Sequence, residues 1–352
     1  MKIAIVYDWI ATWGGAERVL VTLQEMYPGA DWYTAYYDKK LAPWADSFKI
    51  QTSFIQKLPF HQYKHRFLLS PLMPFAFEGF NLSNYDLVIS CTSYFAKSVI
   101  TRPEAKHICY LLTPTRGLWE KSLPFYLRYA KTWDFVAAQR PDQYVAISET
   151  VQKRIKEFYK RDSEVIYPPF DVDYWEKIKK RIAPSSHRPK PYYLLVSRLE
   201  PYKKTELAIQ AFNQNGKNLV IVGAGSQENK LRASAAGNIT FLRQITDERL
   251  AGLYLEAEAL VAPQEEDFGY APLEAQFFGC PTIAYRSGGA TETIIDNETG
   301  IFFNEQTPDS LQKALEKFEP IAYTLRHLTQ EKGPKNILKF AKERFKKQFA
   351  NL

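Results

Sequence analysis

The feature that most constrains the fold of this 352-residue chain is a recurring unit, a short apolar run closed by a proline, glycine or polar residue and followed by a helical pattern. Ala259-Leu260-Val261-Ala262-Pro263 shows it plainly: the run suits a strand buried on both faces of a parallel sheet, and Pro263 stops it. Met1 to Trp9 reads as the first such strand, and Tyr85 to Ser90, His107 to Leu112, Tyr144 to Ser148 and Val165 to Tyr167 continue the series. A second series begins at Tyr192 to Val196 and continues at Leu219 to Val222, Ile239 to Leu242, Ala259 to Ala262 and Thr282 to Tyr285. Strands alternating with helical patterns build α/β units on parallel sheets. The chain is too long for one ordinary core, so two domains of roughly 150 to 180 residues are expected. The polar, proline-bearing stretch from Pro169 to Pro191 reads as their linker, and Asp171-Val172-Asp173 within it as a turn.

In such sheets ligands bind outside the carboxyl ends of the strands, so the loops there carry the function. After Pro263 comes Glu266-Asp267-Phe268-Gly269-Tyr270-Ala271-Pro272-Leu273-Glu274, which places Glu266 on a strand-to-helix loop and Glu274 in the first turns of a helix. Pro272 suits a helix start and Gly279 a helix end. After Val196, the loop Ser197 to Lys204 brings Arg198 and Lys203, a planar fork and a point charge suited to a diphosphate. Ser287-Gly288-Gly289-Ala290-Thr291-Glu292 adds a glycine pair ahead of a helix. Another pair, Gly14-Gly15, follows the first strand, where it is either a ligand loop or simply a tight turn. Gly223-Ala224-Gly225 lacks the third glycine of a dinucleotide fingerprint, since position 228 is Glu.

The 46 basic and 39 acidic residues give a formal charge of +7, with basic clusters at Lys153 to Arg161, Lys177 to Lys190 and Lys335 to Lys347. Such charge favours phosphates, nucleic acid or anionic lipid, and equally describes the solvated faces of ordinary helices. From Trp44 to Phe80, the aromatics Phe54, Phe60, Tyr63, Phe67, Phe75, Phe77 and Phe80 are interleaved with Lys57, His61, Lys64, His65 and Arg66. A surface of that kind can rest on an anionic bilayer, and core packing under a long loop accounts for the same residues. Cys91, Cys109 and Cys280 are odd in number and widely spaced, which points to buried thiols in a reducing compartment. No run approaches the ~18 apolar residues of a membrane span. A cytosolic or peripheral protein is expected.

Taken together, Arg198 with Lys203, the E-x7-E of Glu266 and Glu274 around Phe268-Gly269, Gly288-Gly289 with Glu292, and Gly14-Gly15 with Glu17 resemble the retaining glycosyltransferases of family four. Val196 to Leu199, Glu265 to Gly269, Glu274-Ala275-Gln276 and Tyr167-Pro168-Pro169 are most similar to bacterial mannosyltransferases of surface polysaccharide synthesis. The resemblance implies the GT-B fold, two Rossmann-like domains at 1–170 and 171–334, with a C-terminal helix at 335–352 crossing back to the first. It implies transfer of a hexose, mannose from GDP-mannose, onto a lipid-linked or oligosaccharide acceptor. Arg198 and Lys203 would stabilise the leaving diphosphate without a metal ion or other cofactor. Glu274 would hold ribose and Glu266 the transferred sugar, with the N–H groups of Phe268, Gly269, Tyr270 and Ala271 on sugar and phosphate. Arg243 to Ile245 would line the base, and Gly14 and Gly15 would approach the diphosphate. The expected partners are the donor, the acceptor and the anionic inner face of the cell membrane, and not nucleic acid.

One position departs from the family pattern. Members commonly carry His-Thr-Pro at the end of a strand of the first domain, and here Leu112 precedes Thr113-Pro114. His107 cannot replace it, because an odd offset turns it to the opposite face and five residues at ~3.3 Å each put it too far away. The leaving phosphate can serve as base in a front-face mechanism, so transfer does not require that histidine. A UDP-sugar donor, an epimerase on the same fold, and a non-catalytic sugar-nucleotide binder are the alternatives.

Overall fold

The computed structural model describes residues 1–58, 69–119, 128–182 and 190–352. They form two compact units, Met1–Pro169 with Phe345–Leu352, and Phe170–Arg344. Each is built on a parallel sheet.

In the first unit the strands are β1 (Ile3–Tyr7), β2 (Asp31–Thr34), β3 (Lys49–Thr52), β4 (Leu87–Thr92), β5 (Lys106–Leu111), β6 (Gln143–Ala146) and β7 (Glu164–Val165). Their order is β3-β2-β1-β4-β5-β6-β7, so the chain runs outward from β1 and then returns to the other side of it. β2 and β3 have no apolar signature. β3 is an edge strand with mostly exposed side chains, and Asp31 opens β2. β4, buried along its whole length, is the kind of central strand that the apolar runs reveal. The stretch rich in aromatics divides between core and surface: Ile55, Met73 and Phe77 are buried and Phe80 packs against them, whereas Phe54 and Phe75 are exposed. Phe60, His61, Tyr63, Lys64, His65, Arg66 and Phe67 lie outside the described residues.

The second unit has β8 (Tyr192–Val196), β9 (Asn218–Val222), β10 (Ile239–Leu242), β11 (Leu260–Ala262), β12 (Thr282–Tyr285) and β13 (Gly300–Phe303), ordered β10-β9-β8-β11-β12-β13. The order reverses between β8 and β11, and that reversal opens the crevice in which α/β sheets hold ligands. Leu195, Ile221, Val261 and Ile283 pack beneath Phe212, Leu315 and Phe318 as one core.

Two expectations change. The stretch read as linker contains the helix Val172–Lys179, and Asp171 is its cap, accepting from Tyr174 N at 2.9 Å. Asp171 also pairs with Lys342 at 2.6 Å. A cap of this kind contributes about 1 kcal/mol, and the burial of Trp175 and Ile178 on the inner face about 1.5–3 kcal/mol each. The second change concerns the C-terminal end, which is not one helix over 335–352. The helix Ala322–Ile337 passes into the turn Leu338–Phe340, Ala341 is extended, and a new helix runs over Lys342–Phe349. The return to the first unit accordingly starts at Phe345, where Phe345 and Phe349 set their rings 5.7 and 5.9 Å from Tyr110 of β5.

Candidate functional site

The crevice between β8 and β11 is bordered by the loops that follow these strands. The β8 loop ends in the turn Pro201–Lys203, and Lys204 adopts a left-handed conformation at φ 55° to enter the helix Thr205–Asn215. This geometry turns the Lys203 side chain inward, leaving it 9% exposed, and its ammonium pairs with the Glu266 carboxylate of the β11 loop. Gln264 Nε2 donates to the same Glu266 oxygen at 3.2 Å. Burial would raise the Glu266 pKa, but the charge and hydrogen bond of Lys203, the Gln264 amide and the charge of Arg198 outweigh it and hold it below the ordinary carboxylate value. Arg198 stays exposed, its guanidinium 6.0 Å from the Tyr202 ring, and the Lys203 ammonium lies 5.2 Å from the same ring. Two cations therefore converge beside one half-exposed carboxylate. An excess of positive charge in a partly desolvated crevice is what a diphosphate requires.

Gly269 caps the helix Tyr270–Phe277, whose first turn carries Tyr270 and Ala271. Phe268 is buried, its ring 5.3 Å from that of Tyr270 and 5.6 Å from that of Phe340. Glu274, only 4% exposed, accepts a hydrogen bond from the Tyr254 hydroxyl at 3.0 Å, which fixes its orientation. Beyond β10, Arg243 is exposed and donates to the buried Glu228 at 2.5 Å, and Ile245 is half-buried.

The two glycine pairs of this unit have a shared structural cause. Gly289 N donates to the Glu266 carbonyl at 2.8 Å, and a Cβ on Gly288 or Gly289 would overlap the Glu266 or Phe268 backbone. In the same way a Cβ on Gly223 or Gly225 would overlap the backbone of Ser197 or Leu199. The glycines let flanking loops press against the Arg198 and Glu266 loops and hold them in place. Gly288-Gly289 thus supports the site from behind, and Gly223-Ala224-Gly225, which has no dinucleotide fingerprint, does the same on the other side.

A profile described as "Glycosyl transferases group 1" matches residues 176–321, the stretch that contains all of these loops. The human alpha-1,3/1,6-mannosyltransferase ALG2 is 27% identical over 183 residues, 45% of this chain and 44% of that protein. The GDP-mannose-dependent alpha-(1-6)-phosphatidylinositol monomannoside mannosyltransferase of Mycolicibacterium smegmatis is 30% identical over 144 residues, 36% of this chain and 38% of that one. The chain spans about half the length of the curated relatives it matches. Among solved structures, the sucrose-phosphate synthase of Thermosynechococcus elongatus superposes with a TM-score of 0.78 at 17% identity, covering 100% of this chain and 98% of that one. Residues 176–321 therefore resemble the group 1 glycosyl transferases, and the chain has the two-domain α/β fold of the GT-B enzymes.

Gly14 and Gly15 belong to the first unit. Gly14 precedes the helix Gly15–Met26, and a Cβ there would stand 3.2 Å from the carboxylate of Glu17. Glu17 is buried and accepts from the Tyr7 hydroxyl at 3.0 Å, so an internal carboxylate already occupies the first turn of that helix. Leu112, just beyond β5, is buried. His107 lies inside the sheet, 2.8 Å from Ser90 Oγ, and burial lowers its pKa to about 4.

The first unit also holds an ion pair that the sequence did not reveal. Lys97 and Asp134, 2.6 Å apart, are 0% and 1% exposed. Asp134 further accepts from Thr115 Oγ1 at 3.2 Å, Trp119 Nε1 at 2.7 Å and Tyr159 OH at 2.9 Å. These partners tie down the loop after β5. Five residues scattered from position 97 to 159 carry no local motif.

Proposed function

We propose that this chain transfers a hexose with retention of configuration, mannose from GDP-mannose, onto a lipid-linked or oligosaccharide acceptor. The observation that carries the reading is the convergence of Arg198 and Lys203 on Glu266 at the reversal of the second sheet. As the bond from the anomeric carbon to the β-phosphate breaks, negative charge grows on the departing GDP. Arg198 and Lys203 are charged before the reaction begins, so they meet that charge without reorganising and without a metal ion. The new bond forms from the acceptor hydroxyl oxygen to the same carbon, and the hydroxyl proton passes to the leaving phosphate.

Glu266, kept ionised by Lys203 and Gln264, accepts from hydroxyls of the transferred sugar. Glu274, oriented by Tyr254, accepts from the ribose hydroxyls, and Arg243 to Ile245 border the base. The N–H groups of the 268–271 turn would face sugar and phosphate. Mannose and the guanine nucleotide rest on the likeness to mannosyltransferases. No helix of the described residues is long and apolar enough to cross a membrane. A lipid-linked acceptor would be met at the inner face of the cell membrane, with Phe54 and Phe75 among the exposed apolar residues available to touch it.

Incubation with GDP-mannose, UDP-glucose or UDP-N-acetylglucosamine, each with mannoside acceptors in EDTA, tests the proposal. It predicts GDP release and an α-linked product from GDP-mannose. Turnover of a UDP-sugar alone would overturn the donor assignment, free epimerised sugar would indicate an epimerase, and binding of none of the three would overturn the proposal as a whole.

A further inference from the structure

The first unit has its own sheet reversal, between β1 and β4, and the loop that leaves β1 at that point ends in Trp13. Trp13 is 55% exposed, a large apolar ring left in water immediately before Gly14-Gly15. Its loop is nevertheless firmly built. Ile10 N donates to the Tyr36 carbonyl at 3.0 Å, and Asp38 N to the Ile10 carbonyl at 2.9 Å. Trp44 Nε1 donates to the Thr12 carbonyl at 2.9 Å, and the Trp44 ring meets that of Trp13 edge-on at 5.7 Å. Behind Trp44 stand Phe48 at 5.7 Å and, 4.5 Å beyond, the fully buried Trp32. A row of rings thus runs from the core to one exposed indole at the mouth of the sheet.

We propose that Trp13 is a stacking platform for a pyranose ring of the acceptor, an inference that rests on the reading of the chain as a glycosyltransferase. The axial C–H groups of a pyranose make one face of the sugar apolar, and a rigid indole offers a matching surface with few rotamers to immobilise. The neighbouring charges favour a neutral ligand. Asp38 and Asp46 balance Lys39 and Lys40 along the loop after β2, so this rim has no net charge to attract an anionic bilayer. Asp38 is engaged with Lys40 N at 3.0 Å and Leu41 N at 3.2 Å, and Asp46 with the Tyr37 hydroxyl at 2.7 Å. The position, outside the carboxyl end of β1 at the reversal, is where such a sheet holds a ligand.

The test uses the full chain and the variants Trp13→Ala and Trp13→Phe, with methyl α-D-mannopyranoside, methyl α-D-glucopyranoside and methyl β-D-galactopyranoside as probes. In wild type, at least one glycoside is expected to shift the tryptophan emission saturably, and Trp13→Ala to abolish that shift. In transfer assays Trp13→Ala should raise the KM for that glycoside roughly tenfold, equivalent to about 1.4 kcal/mol, without raising the donor KM. Trp13→Phe should recover most of the loss, since it keeps an aromatic face. Silence of wild type towards all three glycosides would overturn the platform. So would an unchanged acceptor KM in Trp13→Ala, or a loss confined to binding of phosphatidylglycerol vesicles. Saturable glycoside binding through Trp13 in a chain that turns over no nucleotide sugar would leave the platform standing and overturn the transferase reading.

Discussion

Each unit of the molecule contains a lysine–carboxylate pair beside a loop at the carboxyl end of its sheet, and the two pairs differ in what surrounds them. Lys97 and Asp134 are sealed from water, and Asp134 is saturated by Thr115, Trp119 and Tyr159. Lys203 and Glu266 are 9% and 28% exposed, hold Gln264 as an additional partner, and have Arg198 nearby with its charge in solvent. A buried ion pair is tolerated when hydrogen bonds satisfy every remaining lone pair, and removing one partner then strands a charge. A half-open pair with a surplus cation can instead exchange its partner for an incoming anion. The first pair is a fastener for the loop after β5, and the second, under the proposed function, is the diphosphate receptor.

The largest expected effect lies in the sealed pair. Asp134→Ala should cost about 3–5 kcal/mol of unfolding free energy, because Lys97 is left charged and buried. Urea denaturation of the variant measures this, and a loss near zero would show that the network is not the fastener inferred here. The half-open pair should respond less in stability and more in activity. Lys203→Ala should lower stability by less than Asp134→Ala does, because Glu266 keeps Gln264 as a partner and some access to solvent, yet reduce kcat/KM by about 10²–10³. Steady-state kinetics alongside the same denaturation would separate the two quantities, and equal stability losses for both variants would erase the distinction.

A smaller effect sharpens the picture of the first unit as a sealed core. His107 has a folded pKa of about 4, lowered by burial, against an unfolded value near 6.5. Between those values the unfolded state binds more protons, so stability is fully present above pH 6.5 and falls as the pH drops towards 4. The slope is about 1.4 kcal/mol per pH unit. His107→Gln should flatten it, as urea midpoints at pH 7, 6 and 5 would show. The Glu266 pKa is also lowered, so its contribution is present above its unfolded value and is lost only as the pH falls through its folded value, in more acidic solution.

Much of this architecture was legible in the chain because a parallel sheet buries its central strands on both faces. β4, β8 and β11 appear as apolar runs for that reason. The edge strand β3 and the short β2 do not, and Asp171 looked like part of a turn although its carboxylate caps a helix. At the site, Arg198 and Lys203 could be read as residue types that suit a diphosphate, whereas a role for Glu266 on sugar hydroxyls came only with the family resemblance. That Lys203 and Glu266 bond each other could not be read, because 63 positions separate them and only the adjacency of β8 and β11 brings them together. The glycine pairs were legible as close approaches, but whether they face a ligand or a neighbouring loop depends on atoms distant in sequence. In Gly288-Gly289 it is the Glu266 and Phe268 backbone.

The most direct test of the half-open pair as a diphosphate receptor is calorimetric titration of GDP, in EDTA, into wild type, Lys203→Ala and Arg198→Ala. The account predicts saturable binding to wild type, with at least a roughly tenfold loss, about 1.4 kcal/mol, in each variant. Equal affinity in all three proteins, or no binding to wild type, would contradict it.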